Sequence, residues 1–142
     1  MNTPIIDAFY QIDDVSPYKS SGKNKRKITF IVHQTDYAAH NELIEKIIGA
    51  VGLDLENDIL MCKIEGDKVR IMPSSIAKES PTDHFFTFGF DQHELYMQTD
   101  LILHQPFVSE NYILHASFAL EELANDVGKK KTLWGYLKQI FK

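Results

Sequence analysis

Residues 28–64 read ITFIVHQTDYAAHNELIEKIIGAVGLDLENDILMCKI. The first five, Ile28 to Val32, form an apolar, β-rich run that stops at His33-Gln34-Thr35-Asp36. A continuous apolar run of that length fits a strand buried on both faces, delivering polar groups at its C-terminal end. Asn41 then stands as an N-cap, with Glu42 and Glu45 in the first turn and Leu43, Ile44, Ile47, Ile48 and Val51 on one face. Gly52 closes that helix as a C′ glycine. Asp58 to Ile64 supplies a second buried strand, with Ile59, Leu60, Met61 and Cys62 in line. Strand, helix and strand at this spacing predict a right-handed βαβ unit with parallel strands.

Working outward, His84–Phe90 reads as a third strand ending on a glycine, and Leu101–His104 as a short further one. Between them, residues 71–81 are rich in Ser and Pro and read as irregular, while residues 91–97 fit one or two helical turns. The last stretch opens with a buried strand at Tyr112, Ile113 and Leu114, then His115-Ala116-Ser117, then a helix around Phe118 to Ala124. Gly128 and the lysines 129–131 separate it from a final helix. There Leu133, Trp134, Leu137, Ile140 and Phe141 form an apolar stripe that must lie on a sheet. The expectation is an α/β fold, a small three-layer domain with about four mostly parallel strands flanked by helices.

The first 26 residues hold no sustained period. They read as an N-terminal arm and basic linker, leaving residues 27–142 as the domain. An apolar cluster, Ile5, Ile6, Phe9, Tyr10 and Ile12, either folds back on the domain or binds a partner.

A chain of 142 residues with 44% hydrophobic and 25% charged residues suits one soluble domain. No apolar run approaches membrane-spanning length, and residues 1–10 lack the pattern of a secretory signal, so a cytoplasmic protein is expected. Net charge is −5, unevenly spread: residues 19–27 and 127–142 each carry five basic residues and no acid. The remainder holds five basic residues against twenty acids, a net −15. Two basic surfaces on an acidic body disfavour strong nonspecific duplex binding, whose affinity comes from summed cation contacts. The lysines also suit a solvated helix face.

Ligands of parallel sheets sit at the C-terminal strand ends, here His33 to Tyr37, Phe90 to His93 and His115 to Ser117. Two histidines and an aspartate at one edge could form an acid–base pair, though strand-end polar residues more commonly cap loops. The six histidines match no compact metal-ligand spacing, and the single Cys62 can form neither an internal disulfide nor a cysteine cluster. No glycine-rich phosphate loop precedes a helix, and no cofactor is expected.

With these residues in this order, the chain resembles the uracil-DNA glycosylase superfamily. Residues 45–55 followed by the strand 58–63 look like that family's helix and second strand. Leu114-His115-Ala116-Ser117, with Lys131, Trp134 and Leu137, looks like its closing His-Pro-Ser motif and K-x-x-x-W helix, with Ala116 in the place of proline. The family's first motif is a glycine-rich loop that holds the water-activating group beside the flipped base. Here that place reads His33-Gln34-Thr35-Asp36-Tyr37, with no glycine. Residues 116–123, Lys129–Lys131 and Leu133-Trp134 are similar to the psi subunit of the bacterial DNA polymerase III clamp loader, a non-catalytic branch of this fold.

The psi resemblance implies a protein–protein adaptor in a DNA replication or repair assembly, bound through its N-terminal arm. Tyr10, Ile12, Val15 and Tyr18 are then the candidate partner anchors, and Lys129, Lys130 and Lys131 candidate nucleic-acid contacts. The glycosylase resemblance implies instead a divergent enzyme excising a damaged base, with His115 as oxyanion stabiliser beside Gln34 or Asp36.

Overall fold

Mainly apolar chain segments must be covered on both faces, and the sheet is built around four of them. The computed structural model describes residues 18–66 and 70–141. Its strands are β1 (Tyr18–Ser21), β2 (Ile28–His33), β3 (Ile59–Ile64), β4 (His84–Phe88), β5 (Phe107–Val108) and β6 (Ile113–Ser117). Helices are α1 (Gln34–Ala50), α2 (Pro73–Glu79), α3 (Leu120–Asn125) and α4 (Val127–Phe141). All six strands join one sheet in the order β1-β3-β2-β4-β6-β5. The inner four are mutually parallel, whereas β1 and β5 run antiparallel on the two edges. The sheet is therefore mixed and six-stranded, larger than the four strands expected, because its edges recruit a polar segment, Tyr18–Ser21, and a two-residue one, Phe107–Val108, neither of which makes a strand-length apolar run.

Alternation along the strands builds two cores. Phe30, Val32, Met61, Phe86 and Phe88 face α1, α3 and α4, meeting Ile44, Ile47, Ile48, Leu120, Leu123, Leu133 and Leu137. Ile31, Leu60, Cys62, Ile64, Phe85 and Leu114 face the other way, onto Ile71, Ile76, Phe90 and Leu95. Helices thus cover both faces.

Four local readings need correction. The first helix begins at Gln34, not Asn41; His40 (φ −131°, ψ 31°) breaks the helical geometry between its two halves. The half that carries the apolar stripe is the one the sequence exposes. Its far end is as expected: Gly52 has φ +78°, its N–H bonds the Gly49 carbonyl at 3.0 Å, and the Leu53 N–H bonds the Ile48 carbonyl at 3.2 Å. This pair of bonds is the Schellman arrangement.

Residues 71–81 are not irregular throughout, because Pro73 opens α2 at a position where a missing N–H costs nothing. Leu101–His104 is no strand; the edge pairing falls to Phe107 and Val108. The last helix starts before Gly128, at Val127, after Asp126 accepts a bond from the Lys129 N–H at 3.2 Å.

Trp134 also leaves the expected stripe. Leu133 and Leu137 are fully buried and Ile140 and Phe141 partly so, but Trp134 remains 43% exposed. One residue past Leu133 it stands about 100° around the helix from the buried line.

The boundary at residue 26 also shifts. Tyr18 to Ser21 pair with Ile64 to Met61, and the N–H groups of Lys23, Lys25 and Arg26 bond the carbonyls of Glu56, Asn57 and Asp58. The first part of this basic stretch is thus an edge strand, and the rest is tied by backbone bonds to the turn before β3. Tyr10, Ile12 and Val15 lie outside the described residues, while Tyr18 is half-buried against the second core.

Gly89 ends β4 with φ +85°, and a Cβ there would stand 2.7 Å from the Ala119 Cβ. Gly89→Ala is expected to cost roughly 1–3 kcal/mol from backbone strain and contact together. Urea denaturation checks this; an unchanged midpoint would contradict the close packing of β4 against the start of α3.

Candidate functional site

The strand ends place each predicted site residue. β2 passes into α1 without a loop. His33 stacks on Phe90 with ring centroids 4.2 Å apart, and its Nε2–H donates to the Gly89 carbonyl at 3.0 Å. Gln34 is the first residue of α1, and its buried Oε1 has no hydrogen-bond partner among the described residues. Asp36 is half-buried in the same turn. Tyr37 lies beneath the Lys63 ammonium, 5.1 Å from the ring centre. Burial, then the Glu45 carboxylate, raises its phenol above the ordinary range.

His115 is elsewhere. It sits within β6, not beyond it, is 2% exposed, and pairs in register with Phe86, which in turn pairs with Phe30. It therefore lies level with a residue three positions before the end of β2. Its face is the one covered by α4, whereas His33 stacks on Phe90 of the opposite core. The register does not bring His115, Gln34 and Asp36 together.

What surrounds His115 is a closed polar relay. Its Nδ1 lies 2.5 Å from the Tyr136 hydroxyl, and its Nε2 3.0 Å from Nδ1 of His84. Phe86 stacks on the imidazole at 4.5 Å. Burial, and after it the neighbouring His84, lowers the His115 pKa to about 4. Burial also lowers His84, against the opposing pull of Asp83, and pushes the Tyr136 phenol up to about 12. Both imidazoles are thus neutral at pH 7, and one N–H proton suffices for the contact between them.

Nearby, His104 Nε2 is 3.0 Å from the Ser117 hydroxyl, and burial lowers the pKa of that histidine too. Sequence reasoning missed Tyr136, His84 and His104 as partners. The one available signal was that Tyr136 falls three residues after Leu133, on the apolar side of α4.

A hollow of about 380 Å³ does open at the ends of β4 and β6. Gly89, Phe90, Ser117 and Phe118 line it, and Asp91, Glu94 and Glu122 give it an acidic border. None of His115, Gln34 and Asp36 reaches it. An acidic border opposes a leaving group that departs as an anion, the reverse of what base excision needs. Cys62 offers no nucleophile, since burial, then Glu79, pushes its thiol up to about 12.

The three consecutive lysines diverge. Lys129 binds Glu122 at 2.8 Å and lies over the Phe118 ring, while Lys130 and Lys131 border a second, larger groove between α1 and α4. Among the described residues no group of three His, Cys, Asp or Glu side chains could hold a metal ion. No described helix is long and apolar enough to cross a membrane. Comparison with protein-family models and with curated proteins finds no match to this chain.

Proposed function

We propose that the chain is a non-catalytic adaptor of psi type, on a scaffold of the uracil-DNA glycosylase kind. It joins a DNA replication (clamp loader) or repair assembly by binding a partner protein through its N-terminal arm. The observation that carries this reading is the sealed state of His115. The histidine in common with the glycosylase closing motif is bonded to Tyr136 and His84 inside the core, and it does not line the hollow at the ends of β4 and β6. Direct passage of β2 into α1 supports the reading as well, since helix occupies the place of the glycine-bearing loop. So do the four parallel strands that such a scaffold calls for. The glycosylase alternative requires His115, within β6, to meet Gln34 or Asp36 in the first turn of α1, and the register sets His115 level with Phe30, three residues before the end of β2.

Tyr18 is engaged by the sheet, so partner contact falls on Tyr10, Ile12 and Val15. Removal of residues 1–17 is expected to weaken capture of clamp-loader protein by tenfold or more, about 1.4 kcal/mol or above. Titration of a labelled full chain against the same chain shortened by those residues reads this directly. Equal affinity of the two would overturn the arm's role.

A further inference from the structure

A second concavity lies away from the strand ends, between α1 and α4. It measures about 590 Å³ and is floored by Ala39, Leu43, Ile47 and Ala50 from α1, facing Val127 and Trp134 from α4. Val127 is 63% exposed and Trp134 43%, an unusual display for a sole tryptophan. Lys46, Lys130 and Lys131 stand on its border with a single carboxylate, Glu42. None of these three lysines is in an ion pair among the described residues. The groove is therefore apolar at its base and basic at its rim, the complement of an acidic amphipathic segment.

The chain itself carries such a segment. Residues 1–17 contain Asp7, Asp13 and Asp14 and no lysine or arginine. Their apolar residues Ile5, Ile6, Phe9 and Ile12 recur at i, i+1, i+4 and i+7, a helical spacing. The tether also ends in the right place. Tyr18 enters β1 opposite Ile64, next to Lys63, whose ammonium lies over Tyr37 in the first half of α1. Seventeen residues reach up to about 56 Å when extended, whereas α1 between residues 39 and 50 runs about 17 Å. A segment tethered this closely meets its groove at an effective concentration of roughly millimolar.

We propose that residues 1–17 dock into the groove between α1 and α4 of their own chain, covering Trp134. A partner that takes the arm must then displace it from the groove. The test contains no partner, so its failure leaves the adaptor reading standing, and failure of partner capture leaves this docking standing.

Because Trp134 is the sole tryptophan, its fluorescence in the full chain reports the groove alone. Acrylamide quenching is expected to rise severalfold when Phe9→Asp and Ile12→Asp are combined. It should rise equally when Asp7, Asp13 and Asp14 are each changed to Lys. The second variant should regain its shielding when Lys130→Glu and Lys131→Glu are added. An unchanged circular dichroism spectrum at 25 °C separates undocking from unfolding. Quenching in the wild-type chain as strong as in the arm variants would overturn the proposal. So would shielding that fades on dilution, which would place a second copy's segment in the groove.

Discussion

Phe86→Ala is expected to lower the free energy of unfolding by about 3–5 kcal/mol, the usual range for truncating a buried aromatic ring. Phe86 lies on β4 at the centre of the sheet with no exposed surface. Its ring meets Phe30 at 5.3 Å, His115 at 4.5 Å and Phe141 at 5.6 Å, so truncation loses contacts from β2, β6 and α4 together. β4 is flanked by β2 and β6 and covered on both faces, which leaves little room for collapse around the cavity. A domain with about 5–15 kcal/mol of stability in all would be brought near its limit. Urea denaturation at pH 7 measures the loss. A cost below about 1 kcal/mol would mean that the aromatic layer beneath α4 is loose.

Acid is the second large lever. His115 has its folded-state pKa lowered from 6.5 to about 4 by burial and by His84. Between those values the unfolded chain binds a proton that the folded chain refuses, so stability rises with pH across that window. Stability is accordingly complete above about pH 6.5 and falls as pH drops toward 4, by on the order of 3 kcal/mol for this one group.

His84 and His104, both lowered by burial, act in the same direction. A first proton can be shared along the Nδ1 to Nε2 contact of His84 and His115, but a second sets two N–H groups against each other. The helix that carries Tyr136 and Phe141 then loses its seat. In His115→Phe the ring still stacks on Phe86, at the expense of an unpartnered Tyr136 hydroxyl. That variant should be less stable at pH 7 by about 1–3 kcal/mol yet show a flatter decline between pH 6.5 and 4. Equal slopes for the two proteins would contradict the sealed environment of His115.

The parts of the fold legible in the sequence are those with a hydrophobic period. β2, β3 and β4 announce themselves as mainly apolar, β-rich runs, and the second half of α1 by Ile44, Ile47 and Ile48. The parts that were hidden owe their order to partners distant in the chain. The first half of α1 is polar, and the pairing of His40 with Glu121 of α3, at 2.6 Å, links the break in the helix to its neighbour in the same layer. β1 reads as a basic linker until β3 supplies its hydrogen bonds. α2 is masked by serine and proline, although its Pro73 and Ile76 are buried.

The same reasoning explains the candidate site. A histidine between apolar neighbours reads as a strand-end polar group. Only the approach of residues 84 and 136, one 31 and the other 21 positions away, turns His115 into an interior one. Lys129, Lys130 and Lys131 are indistinguishable in sequence, yet α4 sends the first to Glu122 and the other two to the groove.

Single-turnover incubation of the full chain with oligonucleotides carrying uracil or hypoxanthine, read by strand cleavage at abasic sites, tests the sealed scaffold most directly. Base release no greater than in protein-free controls is the predicted result. Release that is abolished in a folded His115→Ala variant would contradict it.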